Sequence, residues 1–83
     1  MAYAIEWSAE AAGQLEGLEK KVQERIRDKV VEAARNPAHY FERLAGSAEC
    51  KLRVGDYRIV AFVFHSSKRA FIQRIGHRKN VYK

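Results

Sequence analysis

The chain has 83 residues, of which 47% are hydrophobic and 31% charged, and 16 lysines and arginines against 10 acidic residues give a net charge of +6. This length allows one small domain that buries roughly 60–65% of its unfolded surface, and the composition excludes a disordered or fibrous chain. The charge favours an acidic partner, either nucleic acid or an acidic protein segment. We therefore expect a single domain over residues 1–83.

The cysteine and histidine content argues against a metal centre. Cys50 is the single cysteine, so neither an internal disulfide nor a thiolate zinc cluster can form, and the three histidines lack metal-ligand spacing. The N-terminus has no basic region followed by an apolar run, and no segment approaches the length of a membrane span. We expect a cytoplasmic protein with no metal, no other cofactor and no membrane partner.

The chain opens with a predicted strand and a short helix. In residues 3–7, apolar side chains alternate with small or polar ones, which is typical of a half-buried strand. Ser8 is a good helix N-cap, and a helix is expected from about residue 9 to residue 18. Two glycines inside this range weaken the helix, so its stability must come from packing.

A second and stronger helix follows. Val22, Ile26 and Val30 are spaced four residues apart with charged residues between them, and Asn36-Pro37 ends the pattern. Residues 37–49 are predicted to be a connection that includes a turn and tucks aromatic side chains under the edge of a sheet.

Residues 51–60 predict a β-hairpin with a two-residue Gly55-Asp56 turn. Alternation across such a turn fixes three facing pairs, which are Val54 with Tyr57, Arg53 with Arg58, and Lys51 with Val60. One face of the hairpin is then cationic and the other apolar. Because like charges repel across a sheet unless an anion lies between them, the pattern favours an anionic ligand on the cationic face.

The second hairpin strand extends to Phe64, and residues 69–75 predict a last strand that Gly76 ends. The order of elements is a strand, a two-helix hairpin and three further strands. It predicts an α+β fold, in which a mainly antiparallel four-stranded sheet carries the helices on one face.

Two segments then carry a family resemblance. Lys51-Leu-Arg53-Val-Gly-Asp-Tyr57-Arg58 and Arg74-Ile-Gly-His77-Arg78-Lys-Asn-Val-Tyr82 resemble the RelE branch of the RelE/ParE toxin superfamily, and the similarity extends over nearly the whole chain. The resemblance implies a toxin of a type II toxin–antitoxin pair that enters the 70S ribosome and cuts mRNA in the A site. It also implies a cognate antitoxin that blocks the toxin, and contact with operator DNA only through that antitoxin.

The resemblance also implies roles for individual residues. Metal-free RNA cleavage requires a deprotonated 2′-hydroxyl, stabilised phosphorane charge and a protonated leaving group. The implied groups for phosphate contact and proton transfer are Lys51, Arg58 and Arg78, with Tyr82 taking part in catalysis and stacking on a base. Further implied RNA contacts come from Arg53, Arg74 and Lys79.

Two positions depart from the family pattern. Glu49 replaces a lysine of some relatives, and it either supplies a general base or weakens RNA binding by repulsion. His77 also stands where some relatives have lysine, and its ordinary pKa near neutrality makes it a candidate catalytic acid or base. The choice between Tyr82, His77 and Glu49 stays open.

Other interpretations are open as well. From spacing alone, the hairpin cations fit a solvated sheet face, His77 a polar cap on the last strand, and Tyr82 an aromatic anchor for the tail. Two rival functions are a ParE-like inhibitor of DNA gyrase and a catalytically degenerate member that only binds antitoxin or operator DNA. The basic set argues against the first rival, whereas Glu49 and the short tail leave the second open.

Overall fold

The computed structural model describes residues 2–77, and within this range the chain forms three helices and five strands. In chain order the elements are β1 (Ala4–Trp7), α1 (Ala9–Glu16), α2 (Lys20–Arg35), α3 (Pro37–Tyr40), β2 (Glu42–Arg43), β3 (Cys50–Val54), β4 (Tyr57–Phe64) and β5 (Arg69–His77).

The strands form one sheet in the order β1-β5-β4-β3-β2, antiparallel except for the parallel pair of β1 and β5. The predicted α+β class and the mainly antiparallel sheet are confirmed, but the sheet has five strands in residues 2–77 rather than four. The additional strand is β2, whose two residues pair with Lys51 and Cys50. Two residues are too few to show an alternating pattern, so only the pairing with β3 reveals this strand.

The helices begin and end close to the predicted positions. The Ser8 hydroxyl oxygen accepts a hydrogen bond from the Ala11 amide at 2.9 Å and donates one to the Gln73 carbonyl at 2.6 Å, which joins the start of α1 to β5. Helix α1 ends at Glu16, two residues before the predicted end, and α2 stops before Asn36 as expected. Helix α3 was predicted to be part of a connection; Pro37 starts it because proline suits the first helical position.

The helices pack on one face of the sheet, as predicted. The core between them and the sheet consists of apolar side chains from α1, α2 and the three central strands, including Ala11, Leu15, Ile26, Val30, Leu52, Val54, Ile59, Ala61, Ile72 and Ile75. None of the helices in residues 2–77 has the length and apolar character needed to cross a membrane. We call the sheet face opposite these helices the outer face.

The β3–β4 hairpin has the predicted register, with Val54 opposite Tyr57 and Arg53 opposite Arg58. Gly55 has φ +59° at the first turn position, as type II′ turns require. Strand β5 continues to His77, so the prediction that Gly76 ends it is wrong. Gly76 pairs with Arg58, because the ladder with β4 outweighs the low strand propensity of glycine.

Candidate nucleic-acid interface

Three strands bring four cationic side chains to the outer face. Arg53 and Arg58 are direct cross-strand partners, and in the next row Val60 lies between Lys51 on β3 and Arg74 on β5. Alternation directs these side chains away from the helices, since their neighbours Leu52, Val54, Ile59 and Ile75 belong to the core. We call Lys51, Arg53, Arg58 and Arg74 the cationic cluster.

Arg58 is the most buried member of the cluster, with 8% of its surface exposed. Its Nη1 donates to the Tyr57 carbonyl at 3.2 Å and to the Gly55 carbonyl at 3.4 Å, which ties the guanidinium to the hairpin turn. Among residues 2–77, no acidic side chain forms an ion pair with it. A guanidinium stays charged when it is buried. Arg58 is therefore a cation fixed in place by backbone carbonyls, without a carboxylate partner in residues 2–77.

Lys51 and Arg53 are more accessible. The Lys51 ammonium lies 4.0 Å from a carboxylate oxygen of Glu42, whose side chain is 74% exposed, and an ion pair this long and solvated contributes little. Arg53 is exposed and borders an open groove between α2 and β3. Both side chains can therefore reorient to bind an anion with little loss of free energy.

Arg74 is engaged by an acidic neighbour. Its Nη1 lies 3.4 Å from an oxygen of Glu49, and both side chains are partly buried. The pair brings Glu49 beside the cationic cluster and compensates its charge, so the repulsion of RNA expected from Glu49 is reduced. Glu49 is thus close to the cations, where a general base would have to be.

His77 lies on the other side of the sheet. It is the cross-strand partner of Tyr57, and the two rings meet edge to face with centroids 5.5 Å apart. Both residues border a cavity of about 370 Å³ that Gln14 and Leu18 also line. The structure therefore does not bring His77 together with the cationic cluster.

Three predicted site residues, Arg78, Lys79 and Tyr82, lie outside the described residues, and their roles stay predictions. Within residues 2–77, no group of three or more histidine, cysteine, aspartate or glutamate side chains is placed to hold a metal ion. Burial raises the pKa of the Cys50 thiol, which disfavours the reactive thiolate.

The sequence analysis missed three phenylalanines on the outer face. Phe62 and Phe64 follow Val60 at alternate positions of β4, and Phe71 is the cross-strand partner of Phe62. The signal was present, because the alternation that directs Arg58 outward continues to Phe64. It was weak, since the inward positions Ala61 and Val63 are apolar too.

Several solved toxin structures share this fold, in which helices pack on one face of a sheet. The RelBE2 toxin–antitoxin complex of Mycobacterium tuberculosis matches with a TM-score of 0.83 at 18% identity, covering 94% of this chain and 100% of that one. The RelE–RelB complex of Pyrococcus horikoshii matches with a TM-score of 0.82 at 20% identity, covering 98% and 100%. The isolated RelE toxin of E. coli matches with a TM-score of 0.79 at 26% identity, covering 98% and 92%.

The sequence itself matches the family described as the ParE toxin of the type II toxin–antitoxin system parDE, over residues 5–82. The chain therefore belongs to this toxin family, within the RelE/ParE superfamily that its two motifs indicated. No curated protein sequence matches it.

Proposed function

We propose that this toxin is a RelE-type endoribonuclease that cuts mRNA in the A site of the 70S ribosome and so inhibits translation. The observation that carries the proposal is Arg58, a nearly buried guanidinium at the centre of a cationic face with no acidic partner in residues 2–77. A held cation of this kind is suited to the negative charge that develops on a phosphate during cleavage.

The proposed chemistry is metal-free transesterification. The 2′-oxygen of one nucleotide attacks the adjacent phosphorus, the bond from phosphorus to the 5′-oxygen breaks, and a proton moves from the 2′-hydroxyl to the leaving oxygen through protein groups. Lys51 and Arg58 stabilise the phosphorane, together with Arg78. Arg53, Arg74 and Lys79 hold the flanking RNA.

Tyr82 is the proposed acid or base, as the family resemblance implies, and Glu49 is the second candidate. His77 is the least suited of the three because its ring packs against Tyr57 on the helix side of the sheet. Four cations without a strong base are a poor catalyst by themselves, so the ribosome must supply the orientation of the mRNA.

The proposed protein partner is a cognate antitoxin. The structures of M. tuberculosis RelBE2 and P. horikoshii RelE–RelB are both toxin–antitoxin complexes. By extension, an antitoxin neutralises this chain by covering part of the cationic face, and the toxin reaches operator DNA only through it. The site of action is the cytoplasm, and neither a cofactor nor a membrane is involved.

A second candidate function is inhibition of DNA gyrase by binding, without RNA chemistry. The match to the ParE family over residues 5–82 favours it. The two functions differ in what they require of the outer face, since a gyrase inhibitor needs no phosphate-stabilising arginine at position 58.

The test is primer extension on mRNA from translating ribosomes, with the intact protein, Arg58→Ala and Tyr82→Phe. We expect A-site cuts from the intact protein, none on the same RNA without ribosomes, and a loss of about 100-fold or more in rate for Arg58→Ala. Arg27→Ala is the matched control because Arg27 is an exposed arginine of α2 and its loss changes the charge equally. Growth arrest without mRNA cuts would favour inhibition of gyrase over RNA cleavage. If the intact protein caused neither growth arrest nor cuts, it would be a catalytically degenerate member of the family.

A further inference from the structure

The outer face has an aromatic half beside its cationic cluster. We use the name aromatic half for Phe62, Phe64 and Phe71, which occupy outward positions on β4 and β5. The rings of Phe62 and Phe64 are nearly parallel, with an angle of 25° and centroids 6.5 Å apart. Strand β4 thus carries two aligned aromatic rings, and Phe71 of β5 lies opposite Phe62.

This surface is open to solvent where a ligand could reach it. Phe64 is 48% exposed, and Phe62 and Phe71 are partly exposed. In residues 2–77, the other exposed large hydrophobic residue is Val31, which stands alone on α2. Exposing an aligned pair of aromatic rings to water is less favourable in free energy than exposing a single valine. The pair therefore indicates a binding surface.

The aromatic half adjoins the cationic cluster without a break. Phe62 follows Val60 by two residues, or about 7 Å along the strand, and Val60 lies between Lys51 and Arg74. Three carboxylates lie on this face, and each has a basic partner: Glu49 pairs with Arg74, Glu6 with Arg69 and, at 4.0 Å, Glu42 with Lys51. Negative charge beside the rings is therefore compensated.

We infer that the outer face is a platform for single-stranded RNA, on which the cationic cluster holds phosphates while Phe62 and Phe64 stack on bases next to the cleaved position. The choice of RNA rests on the proposed function. It also follows from the combination itself, because cations in line with accessible ring faces match a strand that carries both phosphates and bases. An apolar peptide would leave the cations unused.

The experiment measures binding of a six-nucleotide, fully 2′-O-methylated oligoribonucleotide, which cannot be cleaved, by fluorescence anisotropy over a range of salt concentrations. The variant is Phe62→Leu with Phe64→Leu, which keeps apolar side chains and removes the ring faces. Tyr3→Leu is the control because Tyr3 is a partly exposed aromatic residue beside the end of α2, where its amide donates to the Ala34 carbonyl and its ring contacts His65.

We expect the double variant to bind about tenfold more weakly at every salt concentration, with the salt dependence unchanged. Lys51→Ala should instead reduce the slope of log affinity against log salt by about 0.7, the value for one phosphate contact on a single strand. Tyr3→Leu should bind like the intact protein.

A second oligomer of the same length, in which abasic sites replace the bases, separates stacking from charge. It should bind the intact protein and the double variant equally, because only the bases contact the rings. Equal binding of the base-containing oligomer by both proteins would overturn the inference. So would a double variant that keeps RNA affinity but loses its antitoxin, which would make this a protein-binding surface.

Two further outcomes are distinguishable. If the double variant does not fold, Phe64→Leu alone is used, since Phe64 is the most exposed of the three rings. If the intact protein fails to cut mRNA on ribosomes yet shows phenylalanine-dependent binding, the proposed function fails while the RNA platform stands.

Discussion

Gly55 is the residue on which the hairpin geometry depends most directly. Its φ of +59° lies in the left-handed region, and a Cβ there would also lie 3.4 Å from the Arg25 guanidinium. We expect Gly55→Ala to lower the free energy of unfolding by about 1–2 kcal/mol, the cost of this conformation for an L-residue. Urea unfolding measures the change. Gly55→Asn is the control and should lose less, because asparagine tolerates the left-handed region; equal losses would show that the side-chain contact dominates.

At the scale of elements, α1 is an eight-residue helix with a glycine in its interior, and it is joined to β5 by two hydrogen bonds. Gln14 of this helix accepts a hydrogen bond from the Ile75 amide, and Ser8 joins its start to Gln73. Gly13 is exposed, and nothing lies within 4 Å of a Cβ built on it. Gly13→Ala should therefore raise the free energy of unfolding by roughly 0.5–1 kcal/mol.

Thermal and urea unfolding of Gly13→Ala test this, with Ala12→Gly in the same helix as the opposing change. Ala12→Gly should lower stability by at least the amount that Gly13→Ala gains. If Gly13→Ala lowered stability instead, the glycine would have a role that the space around it does not reveal.

At the scale of the whole molecule, β1 connects the beginning of the chain to its last strand. Trp7 pairs with Ile72 in the parallel ladder, and the Tyr3 amide donates to the Ala34 carbonyl at 2.8 Å. We expect one cooperative unfolding transition, with Trp7 fluorescence and far-ultraviolet circular dichroism giving the same midpoint. An earlier fluorescence transition would show that β1 opens separately, and it would contradict the proposal of a single domain.

Much of the fold followed from local patterns. Ser8, Pro37 and the Gly55-Asp56 turn act through their own backbone preferences and their immediate neighbours, which is why the start of α1, the end of α2 and the hairpin register were predicted correctly. Strand β2 and the extension of β5 through Gly76 depend on pairing with distant residues. Such pairing leaves little trace in the sequence of the segment itself.

The candidate site also has features that local sequence predicts and features that depend on tertiary contacts. Alternation and turn chemistry alone determined that Arg53 faces Arg58 and that the hairpin has one cationic face. Two motifs alone were enough to identify the superfamily. Neither the alternation nor the motifs could indicate that Arg58 is nearly buried, or that Glu49 binds Arg74.

Only the tertiary structure decided which parts of β5 share a face. In the ladder with β4, Val60 pairs with Arg74 and Ala61 with Ile72, so Gln73 is an extra residue. This bulge places Arg74 on the same face as Phe71, three residues earlier, and His77 on the helix side with Ile75. A period of two read along the sequence cannot anticipate such a shift, because the bulge exists only where two distant strands are paired.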